Sequence, residues 1–224
     1  MNKLVNGCKY LNLSVEPLPD SSQFKTKRSM ITVSGFDRLG LVYGVSSILG
    51  ERRLNVQDCS SRKHQDLHGA MYVVGASVDE VKPITPDEVL SKCDAITNDL
   101  TVSPSGIQYK LSAIVPDSPG VLSTLTEFLF RKKIHIMENE AVTFETKGPG
   151  SLCNQSIVAS SITLSLDFGE NCEGRIQDLV DGLDYLESRY RWYLKLDKRT
   201  VSKPKPKPDT GYWFDRAFSN AVNN

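Results

Sequence analysis

Hydrophobic positions along this chain follow helical and strand rhythms, and one long stretch of them occurs twice. Residues 31–58 read ITVSGFDRLGLVYGVSSILGERRLNVQD and residues 111–138 read LSAIVPDSPGVLSTLTEFLFRKKIHIME. The two align without a gap at a constant offset of 80, which carries Asp37 onto Asp117, Gly40 onto Gly120 and Leu49 onto Leu129. Identities are few, but the apolar positions coincide. Leu41, Val42, Val45, Ile48 and Leu49 correspond to Val121, Leu122, Leu125, Phe128 and Leu129. Their spacing (i, i+1, i+4, i+7, i+8) is one face of an amphipathic helix. Charged runs, Glu51-Arg52-Arg53 and Arg131-Lys132-Lys133, close the two helices, where cations suit the negative end of the helix dipole. Short apolar runs precede the helices (Ile31 to Phe36, Leu111 to Val115) and follow them (Leu54-Asn55-Val56, Ile134-His135-Ile136), and these read as strands.

The second half of each copy is less alike. In the first, Arg62 to Gly69 reads as a hairpin turn and Ala70 to Val78 as a strand. Thr85-Pro86-Asp87-Glu88 then opens a helix, with Thr85 as N-cap, Pro86 in the first turn and Glu88 completing a capping box. Val89, Cys93, Ile96 and Leu100 form its apolar face. In the second copy, Lys147-Gly148-Pro149-Gly150 marks a hairpin loop and Ser156 to Leu166 a strand. Ile176, Leu179, Val180, Leu183 and Leu186 give a helix, and Trp192, Leu194 and Leu196 alternate along a last strand. The second copy is thus β-α-β-β-α-β. The first lacks an obvious final strand. Leu100 to Ser103 is very short, whereas Leu11, Leu13 and Val15 alternate with polar residues near the N-terminus and offer a replacement. The fold class that follows is α+β: two tandem ferredoxin-like βαββαβ domains with antiparallel sheets and helices on one face. The expected divisions are an N-terminal extension (1–28), a first domain (29–104), a second (105–200) and a Lys/Pro-rich arm with an aromatic tail (201–224). In that arm Lys203 to Pro208 alternates lysine with proline and is expected to be extended.

Composition narrows the function. The chain is 39% hydrophobic and 24% charged, enough apolar material for a packed core. Its 27 basic and 27 acidic residues cancel, so the basic excess that phosphate binding demands is missing, and no direct nucleic-acid contact is expected. No apolar run approaches membrane-spanning length. The five cysteines, with no C-x-x-C pair, fit reduced thiols in the cytoplasm, and the basic and hydroxyl residues of 1–28 leave organelle targeting open. His64 and His68 fall in the expected hairpin turn, so they do not make a helical ligand pair, and no metal or other cofactor is expected. Glu138 and Glu140 point to one side of a strand and read as a charged outer face. Nothing supplies a nucleophile with a recognisable base, so no catalytic residue is expected.

The repeated turns, Asp37-Arg38-Leu39-Gly40 and Asp117-Ser118-Pro119-Gly120, each join a strand to a helix. The simplest reading is structural: Asp caps the helix and Gly relaxes the corner. A second reading adds chemistry. Free N–H groups at the helix start attract a carboxylate, glycine lets it approach, and the Asp carboxylate takes an ammonium group. A turn of this pattern between strand and helix, followed by an Asn-Ile-like strand start, resembles the ACT domain. The tandem pair is similar to the glycine cleavage system transcriptional repressor family over about residues 29–200. The resemblance implies a non-catalytic regulatory module that senses an amino acid allosterically, works as a homodimer and places its sites between paired domains. By that resemblance Asp37, Gly40, Leu41 and Asn55 line one site, and Asp117, Gly120, Val121 and His135 the other. Leu39 replaces the usual proline, and His135 replaces Asn, which sets the second site apart. The alternative is a ligand-independent regulator that binds a protein partner, with Tyr212, Trp213, Phe214 and Phe218 of the tail as the docking segment.

Overall fold

The computed structural model describes residues 11–18, 28–66, 69–79, 84–93, 108–147, 156–168 and 173–199. The described chain runs β1 (Leu11–Pro17), β2 (Arg28–Phe36), α1 (Leu41–Glu51), β3 (Val56–Asp66), β4 (Gly69–Asp79), α2 (Pro86–Lys92), β5 (Gln108–Pro116), α3 (Val121–Arg131), β6 (His135–Lys147), β7 (Ser156–Asp167), α4 (Glu173–Tyr190) and β8 (Tyr193–Arg199). Eight strands form one sheet in the order β1-β2-β4-β3-β6-β7-β5-β8. Every neighbouring pair is antiparallel. Each half of the sheet is a ferredoxin-like set of four strands.

The fourth place in the first half is taken by β1. Leu13 pairs with Val33 and Val15 with Ile31, in the position that β8 holds against β5. Residues 11–17 therefore belong to the sheet of the first half. The expectation that Ile96 and Leu100 extend the apolar face of α2 falls outside the described residues, as do His68, residues 148–150 and the 200–224 tail. Arg62 to Asp66, expected as a turn, is strand: Arg62 pairs with Val73 and Asp66 with Gly69. The polar run there has no apolar alternation to mark it, and backbone pairing to β4 decides its conformation.

The repeat recurs in the backbone itself. Both α1 and α3 begin on a glycine with left-handed backbone, Gly40 at φ 88° and Gly120 at φ 90°. Both are followed by a left-handed cationic residue, Arg53 and Lys133. Both following strands carry an irregularity at the same place, between Val56 and Asp58 and between Ile136 and Glu138. Asp37 and Asp117 do not cap these helices. The N-cap position is glycine and neither has a side-chain cap bond. The capping box of α2 forms as the sequence indicates, with Glu88 N donating to Thr85 Oγ1 at 3.3 Å and Thr85 N to Glu88 Oε2 at 2.7 Å.

The halves join through β3 and β6, where Ser60 pairs with Glu140, its own counterpart in the repeat. An approximate two-fold axis thus passes through this pair. Counterparts also meet above the sheet. Ser46 and Thr126 share a hydrogen bond of 2.8 Å between α1 and α3, and Asn139 Nδ2 lies 3.7 Å from Cys59 Sγ. The core is continuous across the axis and includes Val33, Leu49, Leu111, Leu125, Leu129, Leu164 and Leu166.

Burial pushes the Cys59 thiol up to about 12, against the help of Asn139. A thiol whose folded value lies above its unfolded one stabilises the fold fully below the unfolded value, near 9, and progressively less as pH rises toward 12. Cys59→Ala is therefore expected to soften the fall of the urea midpoint between pH 8 and pH 11 (roughly the span in which a free thiol ionises). An unchanged fall would show that Cys59 plays no part in alkaline unfolding.

Candidate functional site

Asp37 and Asp117 directly follow β2 and β5, three residues before the N-cap glycines of α1 and α3, at the joint between the halves. The expected grouping by copy is not what the fold builds. The antiparallel β3–β6 joint sets each turn against the second strand of the opposite half. Asn55 Nδ2 donates to Asp117 Oδ2 at 2.9 Å. His135 Nε2 lies 3.1 Å from Asp37 Oδ1 and 3.2 Å from Oδ2. The eight residues expected from the sequence therefore fall into two crossed sets: Asp37, Gly40, Leu41 with His135, and Asp117, Gly120, Val121 with Asn55.

The Gly120 set borders a small cleft that is open to solvent. Its walls bring Asp117, Ser118, Gly120, Val121 and Ser123 from one half against Ser46, Gly50 and Asn55 from the other. Asp117 is fixed there by three donors. Besides Asn55, Ser160 Oγ donates to Oδ1 at 2.9 Å and Thr143 Oγ1 at 3.3 Å. A carboxylate has about four acceptor directions, so room remains for one more donor. The first helical bond of α3 runs from Thr124 N to Gly120 O; Val121 N donates to Ser118 O at 3.4 Å, and the amides of Leu122 and Ser123 come before the first intrahelical bond.

The Gly40 set borders a shallower depression and is differently lined. Here Asp37 is fully buried, Arg38 stands in the place of Ser118, and His135 in that of Asn55. Phe130 stands directly over the turn: a Cβ on Gly40 would come within 2.6 Å of its ring. Tyr43 stacks on Phe130 with centroids 5.0 Å apart and planes at 20°. At Gly120 an added Cβ would meet nothing within 4 Å.

Phe130, Tyr43, Gly50, Ser123, Ser160 and Thr143 were not among the residues singled out from sequence. The repeat held the signal for the first four, since Phe130 aligns with Gly50 and Tyr43 with Ser123. The hydroxyls that hold Asp117 come from β6 and β7, where only register reveals them. Glu138 and Glu140 lie away from both clefts, Glu138 3.9 Å from Arg199 and Glu140 exposed.

No protein-family model matches the chain. A UPF0237 protein of Methanopyrus kandleri is 39% identical over 54 residues, 24% of this chain and 60% of that protein. Another from Neisseria meningitidis is 43% identical over 49 residues, 22% of this chain and 54% of that protein. The matches thus span less than two thirds of either relative. Among solved structures, aspartate kinase from Synechocystis is similar over 76% of this chain and 28% of its own, with 17% identity and a TM-score of 0.49. An unknown protein from Galdieria sulphuraria covers 78% and 99%, with 19% identity and a TM-score of 0.34. A protein assigned as a glycine cleavage system transcriptional repressor covers 79% and 99%, with 15% identity and a TM-score of 0.33. All three scores lie below 0.5, and the fold is read from the chain's own strand order and register.

Proposed function

We propose that this chain is a tandem ACT-type regulatory module, without catalysis of its own, that senses an amino acid at the turns joining its two halves. The observation that carries the reading is the crossed assembly of the Gly120 cleft. A fixed carboxylate with one free acceptor direction, Asp117, stands beside a helix start that begins on glycine. A zwitterion places its ammonium on the former and its carboxylate on the latter. Because the cleft draws walls from both halves, an occupant bridges α3 to β3. It thereby changes the free energy of the joint, and such a difference is what a regulatory ligand requires.

The test is a thermal-shift screen of the full chain against the twenty amino acids. At about 100 times its dissociation constant, a ligand stabilises the fold by about 2.7 kcal/mol, a rise of roughly 5–11 °C for a chain of this size. Gly120→Ala is the matching variant. Its left-handed backbone makes any side chain unfavourable by about 1–2 kcal/mol, so the starting melting temperature falls a few degrees while the ligand shift disappears. No shift with any amino acid sinks the sensor reading.

A second reading, a regulator that docks a protein partner without a ligand, is favoured by one surface. On the face of the sheet away from α1 and α3, Ile114, Val142, Phe144 and Tyr193 are all more than a third exposed. Register places Tyr193 beside Ile114 across adjacent strands. Exposed apolar groups gathered on one face fit an interaction surface.

A further inference from the structure

Two sites related by a repeat ordinarily bind alike, and in this chain they differ wall by wall. Around Gly120 the opposing helix offers Gly50, and the same helix offers Ser123. Around Gly40 the counterparts are Phe130 and Tyr43. The exchange replaces a glycine by a phenylalanine and a serine by a tyrosine at the two positions that overhang the turn. Gly50 lies so close to the Gly120 turn that its own Cβ would come within 3.2 Å of Gly120 Cα, so a side chain there would crowd the turn. Leu41, at the start of α1, is buried, while its counterpart Val121 is only partly so. The buried carboxylate of Asp37 has the His135 imidazole 3.1 Å away, whereas Asp117 is held by amide and hydroxyl donors.

Resting on the sensor reading above, we infer that the chain binds one amino acid and not two: the Gly120 cleft takes it, and the Gly40 cleft is closed from within by Phe130 and Tyr43. The closed copy is then a built-in occupant of its own site. The ring of Phe130 fills the approach to the turn, and the His135 ring stands against the Asp37 carboxylate where a ligand's ammonium group would lie. The two halves are held in different states by sequence alone, and only one of them responds.

Two pairs of substitutions exchange the walls. Phe130→Gly with Tyr43→Ser opens the Gly40 cleft, and Gly50→Phe with Ser123→Tyr closes the Gly120 cleft. The probes for calorimetric titration are the amino acids that raise the melting temperature in the screen. The expected stoichiometry is one per chain for the unaltered protein, two for the opened variant and none for the closed one. Two per unaltered chain, or one retained by the closed variant, overturns the inference. A second measurement needs no amino acid and decides the matter even where a variant folds poorly. Leu41→Cys and Val121→Cys are labelled with methyl methanethiosulfonate and followed on the peptide that carries the new thiol. Access governs the rate, so Val121→Cys is expected to react about tenfold faster or more, and adding Phe130→Gly is expected to bring Leu41→Cys up to it. Equal rates in the unaltered background overturn the asymmetry. A clear contrast in rates without binding of any amino acid removes the sensor reading and leaves the asymmetry standing.

Discussion

Replacement of Leu129 by alanine is expected to destabilise the protein by about 2–5 kcal/mol. Leu129 is fully buried on the face of α3 that packs on the sheet. It belongs to the cluster that runs without interruption from one half of the sheet to the other. Truncation there removes apolar area and leaves a void that close-packed neighbours refill only in part. For a chain of this size the loss reads as a fall of roughly 4–20 °C in melting temperature. Val142→Ala is the control: the side chain is 44% exposed on the outer face, and its loss is expected to stay near 0.5 kcal/mol. Calorimetric unfolding of the two variants checks both figures. Similar falls for the two would show that the core does not lie between the helices and the sheet.

The second large effect is expected at Gly44, where α1 meets α2. A Cβ there would lie 2.9 Å from the Val89 carbonyl oxygen and 3.0 Å from Cys93 Sγ. A carbonyl oxygen of a helix backbone yields only if the helix moves. Gly44→Val is therefore expected to force α2 off α1, with a cost of about 3 kcal/mol at the upper end of overpacking effects. Two ion pairs that tie these helices, Arg52–Glu88 at 2.7 Å and Lys92–Glu51 at 2.5 Å, would be stretched at the same time. Both are exposed and add little on their own. Hydrogen exchange of residues 86–92 is the direct measurement, with protection lost there first. Retained protection would mean that the helices accommodate the side chain.

The repeat was legible because a helix stripe keeps its phase whatever residues fill it. Leu41 to Leu49 and Val121 to Leu129 announce the same helix through position alone. The last strand of the first half was legible only as an alternation, Leu11, Leu13 and Val15, with nothing to say what it pairs with. What sequence could not show was which half supplies each wall of a site. That depends on β3 and β6 lying side by side, and the pairing of Ser60 with Glu140 leaves no local mark. Asp37 and Asp117 were readable as chemically apt, but not their partners, since Asn55 and His135 reach them from the opposite copy. Nor does periodicity distinguish a capping aspartate from one three residues early whose carboxylate is held by hydroxyls on distant strands.

The two halves have the same shape, yet the placement of β1 gives them different folding problems. In the first half the closing strand comes before everything it completes, and Pro17 pairs with Ser29 across a short connection. In the second, β8 must return to β5, so that Gln108 pairs with Arg199 after the whole of the intervening half. Pairings distant along the chain form later and more slowly, because loop closure must be met before the contact forms. As the chain leaves the ribosome, the first half has all four of its strands as soon as β4 is made, while the second waits for its last seven-residue strand. In that interval β5 has an unpaired edge, and the half already folded offers β3 as the surface on which β6 is received.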